Sequence, residues 1–260
     1  MSELLYRELA PAPDLATWVQ CHWEFSARRG AAPRPHHVLP DGCVSIVCGL
    51  RQDGIWLGLM GPRTGPLRTV AEPGQVVRGV RFRPEGAGAL LGIEPRRFRD
   101  RHVPLGSVMP ELEDSLRTRI GHSGEVDVVT AFTAALRELL PQARAVDPQM
   151  HAAVEALTLT DGAMSIAELA RRVCLSERQL QRRFGAAVGL TPKQFARIRR
   201  LRSTVGDALA SENAGWSRLA AQLGFADQAH MIREFSALTG QSPESFLSHT
   251  RGIEHVDVRP

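Results

Sequence analysis

One stretch of this chain occurs twice, and no other feature limits the fold as much. Ser165–Gly189 reads SIAELARRVCLSERQLQRRFGAAVG, and Trp216–Gly240 reads WSRLAAQLGFADQAHMIREFSALTG. In the first copy Ser165 is placed to cap a helix, with Glu168 three residues on as a capping box. Ile166, Leu169, Ala170 and Val173 share one face, and a tight turn follows at Cys174–Leu175. Ser176 caps the next helix, which turns Leu180 and Phe184 inward and stops before Gly189. The second copy repeats this with one residue inserted. Leu219, Ala220 and Leu223 face inward, Gly224-Phe225 makes the turn, Asp227 is the cap, Met231 and Phe235 are core, and Gly240 ends it.

A similar tail follows each glycine: Leu190-Thr191-Pro192-Lys193-Gln194-Phe195 and Gln241-Ser242-Pro243-Glu244-Ser245-Phe246. Thr191 or Ser242 caps a helix that opens on proline. Between the copies, Thr191–Ala210 carries Phe195, Ile198, Leu201 and Val205 on one stripe. A helix of about 20 residues spans ~30 Å, close to the ~34 Å turn of B-DNA. Helix, tight turn, helix is also the geometry that lets a second helix stand out and enter a major groove.

Charge agrees with this reading only locally. Residues 1–146 hold 18 basic and 16 acidic side chains, and residues 147–260 hold 14 and 12. Residues 162–204, however, carry ten basic side chains against Glu168 and Glu177 alone. Such a field attracts phosphates; the plainer alternative is a solvated helix face.

The first half has a different character. Val19, Cys21, Trp23 and Phe25 alternate with polar residues, the period of a strand. Cys43–Cys48, Ile55–Met60 and Val76–Phe82 read as further strands between Gly and Pro punctuation. Helices are expected from Pro84 to about Leu91, over Pro110–Ile120 and over Glu125–Leu140. The last two could form a dimer interface or pack on the strands. The stretch PQARAVDP, Pro141–Pro148, marks a boundary, after which the pattern is helical only. Asp147-Pro148 opens a helix with Met150, Val154 and Leu157 at helical spacing, and Gly162 ends it. The expected fold is therefore an α+β domain, strand-rich and barrel-like with helices, over residues 1–146, then an all-α domain over 147–260. With no apolar leader and no apolar run of membrane-spanning length, a cytoplasmic protein is expected.

The two copies, the connecting helix and the paired tails TPxxF and SPxxF together resemble the DNA-binding domain of the AraC/XylS family of transcription regulators. The first half resembles an effector-type domain of one branch of that family, through YRELAPAPDLATWVQCHWEF, VLPDGCVSIV and GVRFRPEGAGALLG. The resemblance implies a regulator responsive to an unknown small-molecule effector, more often an activator than a repressor, with double-stranded DNA and RNA polymerase as partners. It implies no enzyme activity and no cofactor.

Residue roles follow. Arg178, Gln181 and Arg182 point away from the core of the first recognition helix, flanked by Glu177 and Arg183, and are expected to read bases; Arg suits guanine and Gln adenine. The matching positions in the second copy are Gln228, Ala229, Ile232 and Arg233, with His230 nearby. Ala229 and Ile232 offer apolar contact only, so the first unit should read sequence more sharply. Backbone phosphates should meet Ser165, Ser176, Thr191 and Ser217 at helix starts, and Arg172, Lys193 and Arg197. Arg199, Arg200 and Arg202 either are solvated or clamp the first domain. There, Trp23, His36, His37 and Arg81 are candidates for an effector pocket, although tryptophans in such a domain are usually core and Arg78, Arg81 and Arg83 fit salt bridges within the fold better.

Cys21, His22, His36, His37, Cys43 and Cys48 raise the alternative of a metal- or thiol-responsive regulator, but their spacing fits no zinc motif and free cysteines are often core. Cys174 is expected to pack. A DNA-repair protein with a zinc-held reactive cysteine would need more cysteines than these four. A metal-dependent barrel enzyme built on His36 or His37 would need a third ligand that is not evident.

Overall fold

The computed structural model describes residues 3–51, 54–121, 127–210 and 215–258. Among the described residues, the first half forms eight strands: β1 (Leu4–Leu9), β2 (Val19–Ala27), β3 (Arg34–Val38), β4 (Ser45–Arg51), β5 (Gly54–Met60), β6 (Leu67–Ala71), β7 (Val76–Phe82) and β8 (His102–Pro104). It also forms helices α1 (Ala87–Leu91), α2 (Pro110–Ile120) and α3 (Val128–Arg137). The second half supplies α4 (Pro148–Leu159), α5 (Ile166–Arg172), α6 (Glu177–Val188), α7 (Pro192–Ala210), α8 (Trp216–Gln222), α9 (Gln228–Thr239) and α10 (Pro243–Thr250), then a last strand, β9 (Ile253–Val258).

Seven strands make one sheet in the order β8-β5-β4-β7-β2-β1-β9; β3 and β6 form a separate antiparallel ribbon. One face of the sheet carries Ile46, Cys48, Leu57, Leu59, Val80 and Phe82, which pack with Leu112, Leu116 and Ile120 of α2 and with Phe132 and Leu136 of α3. The apolar stripes of α2 and α3 are therefore used on the sheet rather than left for a partner. Asp127 caps α3 by accepting from the Val129 N–H at 3.0 Å, so the helix starts later than expected; Glu125 lies outside the described residues.

Two expected strands are corrected. A bulge between Val19 and Cys21 shifts the register of β2. Val19 consequently packs on the helical side, while Trp23 and Phe25 lie in a different cluster. The strand expected from Cys43 begins at Ser45. Gly42 there is left-handed, with φ of 76°, and Asp41 Oδ1 accepts the Cys43 N–H at 2.9 Å, so these backbone groups serve a turn.

The helical half has two cores. Met150, Leu157, Leu169, Leu180, Phe184 and Phe195 belong to one, and Leu201, Leu219, Met231, Phe235 and Phe246 to the other. α7 serves both. The helical pattern does not run to the end of the chain, because β9 returns and pairs in parallel with β1 at the sheet edge. The halves also touch where Gly42 abuts the Phe195 ring, where Gly189 abuts Pro62 and Pro95, and where Glu85 Oε1 lies 2.7 Å from His151 Nδ1.

Candidate nucleic-acid interface and ligand pocket

Both units adopt helix-turn-helix geometry. Ser165 Oγ accepts the Glu168 N–H at 3.2 Å. Ser176 forms a full capping box at the start of α6: its Oγ accepts the Gln179 N–H and the Gln179 side chain accepts the Ser176 N–H. Asp227 caps α9 by accepting the His230 N–H at 2.6 Å. In each unit the turn contains a left-handed residue, Cys174 with φ of 54° and Gly224 with φ of 70°. Cys174 is exposed and not packed as expected, since the turn directs its side chain outward.

On α6, Leu180, Phe184 and Val188 are buried while Arg178, Gln181 and Arg182 are exposed. Among the described residues none of these three side chains is drawn into an ion pair. Arg183 differs. Its guanidinium binds Asp147 Oδ2 at 2.6 Å and also reaches Gln149, which ties α6 to the start of α4. A flanking DNA contact by Arg183 would have to break that tie.

The second unit is more committed to itself. Gln228 and Ala229 are exposed, as is Arg233, but Gln228 Oε1 accepts from Ser217 Oγ at 2.6 Å. Ile232 is half-buried against the local core. Ser217 is not a cap; α8 begins at Trp216 with Gly215 as its N-cap.

Among the residues expected at phosphates, Ser165, Arg172, Ser176, Thr191 and Lys193 are exposed. Thr191 Oγ1 accepts the Gln194 N–H at 3.1 Å and caps α7. Arg197 is otherwise engaged: its Nε lies 2.7 Å from Glu234 Oε2 and binds α7 to α9. Arg200 donates to Gly162 O at 2.8 Å and lies over the Phe225 ring, 5.2 Å from its centre, joining the two units. Arg199 and Arg202 instead border a cavity of about 470 Å³ between the halves, beside Asp41 and Arg81. Burial and the neighbouring Arg202 lower the pKa of Arg199.

A second cavity, about 280 Å³, lies between the sheet and the β3–β6 ribbon; Trp23, His36 and Arg81 line it. His37 is across the ribbon, with Nε2 2.6 Å from Gln241 Nε2. Arg81 is structural: it binds Glu8 Oε1 at 2.6 Å, Tyr6 Oη at 3.0 Å and Asp41 Oδ2 at 2.7 Å. Burial opposes ionisation of Glu8, but Arg81 and the Tyr6 hydroxyl together outweigh it and hold that carboxyl below the usual range. Arg78 pairs with Glu24 at 2.7 Å, and Arg83 donates to Ala16 O at 2.7 Å. Trp56, like Trp23 a tryptophan that the sequence offers for an apolar pocket, also lines it; nothing in the sequence marks Arg63, whose convergence on the cavity depends on strand order.

The cysteines of this half are poor ligands as placed. Burial pushes the Cys21 thiol up to about 12 and the Cys48 thiol up to about 11, and raises Cys43 well above its ordinary value. His36 stacks on Phe25, ring centres 4.4 Å apart. Among the described residues, no three His, Cys, Asp or Glu side chains converge to hold a metal ion, and no helix is long and apolar enough to cross a membrane.

Residues 7–104 match a family described as a Domain of unknown function (DUF6597), and residues 169–249 match a Helix-turn-helix domain. No curated protein matches the chain. Solved structures similar to it include ToxT from Vibrio cholerae, at 11% identity and a TM-score of 0.42, covering 95% of this chain and 96% of that one. A second ToxT structure from that organism has 10% identity and a TM-score of 0.43, covering 96% of this chain and 99% of that one. A third, with an unsaturated fatty acid bound, has 9% identity and a TM-score of 0.42, covering 96% of each chain.

Proposed function

We propose that this chain is a sequence-specific, effector-responsive DNA-binding transcription regulator of the AraC/XylS type, with residues 1–146 as its sensory part and 147–260 as its DNA-binding part. The observation that carries the reading is the exposed trio Arg178, Gln181 and Arg182. It sits on a capped helix whose opposite face is buried, in a unit repeated along α7. The α7 rod has 19 residues, or about 28 Å, which suits two successive major-groove segments on one side of a duplex. Arg178 and Arg182 would read guanine and Gln181 adenine. Ala229 and Arg233 would contact the second segment, with Gln228 after release from Ser217. The N-termini at Ser165, Ser176 and Thr191, with Arg172 and Lys193, would hold phosphates. We read the protein as a cytoplasmic activator that meets RNA polymerase at its operator, with the cavity between sheet and ribbon as its effector site.

The test is selection of duplexes from a random pool by the full chain, followed by footprinting. We expect an enriched sequence with two protected segments about one helical turn apart, the first more constrained. A pool with no enriched sequence after repeated rounds would remove sequence-specific binding.

A further inference from the structure

We infer that the cavity between the sheet and the β3–β6 ribbon takes a flat organic anion of one or two rings, and that the ribbon passes its presence to the second helix-turn-helix unit. This rests on the effector site proposed above and assigns its ligand class and its route to the DNA-binding half.

Ring shape comes from two cross-strand pairs. Trp23 stands opposite Gly79, and Trp56 opposite Gly49. A Cβ on Gly79 would lie 2.5 Å from the Trp23 ring, and one on Gly49 would overlap Trp56 Nε1. Each indole thus lies across the glycine of its neighbouring strand, where no larger residue fits. Both indoles border the cavity, and Tyr6 stacked on Trp23 and His36 stacked on Phe25 complete an aromatic lining. Such walls favour stacked, planar partners. At about 280 Å³ the space falls at the small end of ligand pockets, ~300–1,000 Å³.

The charge comes from a surplus of donors. Among the described residues the cavity has one carboxylate, Asp41, already held by Arg81 at 2.7 Å and by the Cys43 N–H at 2.9 Å. Trp23 Nε1 and Arg63 Nε are shielded from solvent and lack hydrogen-bond partners. Arg63 donates only to Pro66 O, at 3.2 Å, and faces no carboxylate among the described residues. Buried donors without acceptors are costly. A ligand carboxylate on Arg63, with an acceptor for Trp23 Nε1, removes that cost.

The route follows from strand alternation. His36 pairs with Thr69 and Val38 with Leu67, and these four residues border the cavity. Of the intervening pair, His37 belongs to the other face, while Arg68 also borders the cavity and reaches past the ribbon. Arg68 donates to Gly240 O, the C-cap of α9, at 3.2 Å, and His37 contacts Gln241 and the His249 ring. A ligand that fills the inner face fixes the ribbon and firms its grip on the end of the second recognition helix.

The test uses the full-length protein, titrated calorimetrically with 2-naphthoate and indole-3-carboxylate, and with 2-naphthamide and hexanoate for comparison. Hydrogen exchange is followed over residues 236–250. Both ring acids should bind at least about tenfold tighter than the amide or the aliphatic acid, the scale of one charge-assisted hydrogen bond. Arg63→Gln should lose that preference. Naphthoate should slow exchange at residues 236–250 severalfold, and His37→Ala, a change off the cavity, should keep the affinity and lose much of the slowing. Equal binding of acid and amide, or no binding of either acid at millimolar concentration, overturns the ligand class. Unchanged slowing in His37→Ala overturns the route. None of these readouts needs DNA, so they fail or succeed separately from the duplex selection.

Discussion

The two turns offer a matched pair of perturbations with opposite signs. Cys174 and Gly224 occupy equivalent places, with φ of 54° and 70°. An L residue held left-handed loses ~1–2 kcal/mol to the contact of its Cβ with the following carbonyl. Glycine avoids that loss but gives up ~0.4–1 kcal/mol through the greater freedom of its unfolded chain. No heavy atom lies within 4 Å of a Cβ built on Gly224, so tertiary crowding adds nothing there. Cys174 is exposed, so its thiol contributes little burial. Cys174→Gly should therefore stabilise the first unit by about 0.5–1 kcal/mol and Gly224→Ala destabilise the second by about the same. Cys174→Ala keeps the strain without sulfur and should be neutral. In a chain of this size about 1 kcal/mol moves Tm by about 2–4 °C. Thermal unfolding under reducing conditions reads the shift, and hydrogen exchange within α5–α6 and α8–α9 assigns it to a unit. A Cys174→Gly variant no more stable than Cys174→Ala refutes the argument, because backbone strain is the only quantity that differs between them in the expected direction.

Arg182→Ala should weaken binding to the selected duplex by ~1–3 kcal/mol and relax one base position; unchanged gel-shift affinity would strike Arg182 from the readers. Arg183→Ala should chiefly lower Tm, since it frees Asp147 and loosens α6 from α4. Arg81→Met should cost ~3–5 kcal/mol in denaturant unfolding by leaving Glu8 and Asp41 without their buried cation; a loss below about 1 kcal/mol would show that solvent reaches them. His22 is 1% exposed, and burial lowers its pKa to about 4. Its unfolded form takes up a proton near pH 6.5 while the folded form does not, so stability should fall between pH 6.5 and 4, by up to about 3 kcal/mol. His22→Gln should flatten that part of the profile; an unchanged slope would assign it to other groups.

Much of the helical half was legible because its signals are local. Caps at Ser165, Ser176, Asp147 and Asp227, left-handed glycines at 189 and 240, and apolar residues at helical spacing are all read within a turn or two. The exposure of Arg178, Gln181 and Arg182 followed from the burial of Leu180 and Phe184. The pairing of Arg183 with Asp147 and of Arg197 with Glu234 did not, because an arginine on a polar face looks the same whether its partner is a distant carboxylate or a phosphate. The strand-rich half was less legible. The ribbon strands β3 and β6 bury little and alternate weakly, and the bulge in β2 moved Val19 to the other face with no mark in the period-two pattern.

The sequence by itself determined the duplicated unit, the rod between its copies and the side of α6 that faces outward, since each depends on residues within about twenty positions of one another. Only the tertiary structure decided where the ends and faces meet. It brought β9 beside β1, set Trp23 and Trp56 over glycines from neighbouring strands, and placed Arg68 on the last residue of the second unit. These juxtapositions join segments up to about 250 residues apart, and strand pairing is fixed by register and complementary faces that no single segment carries.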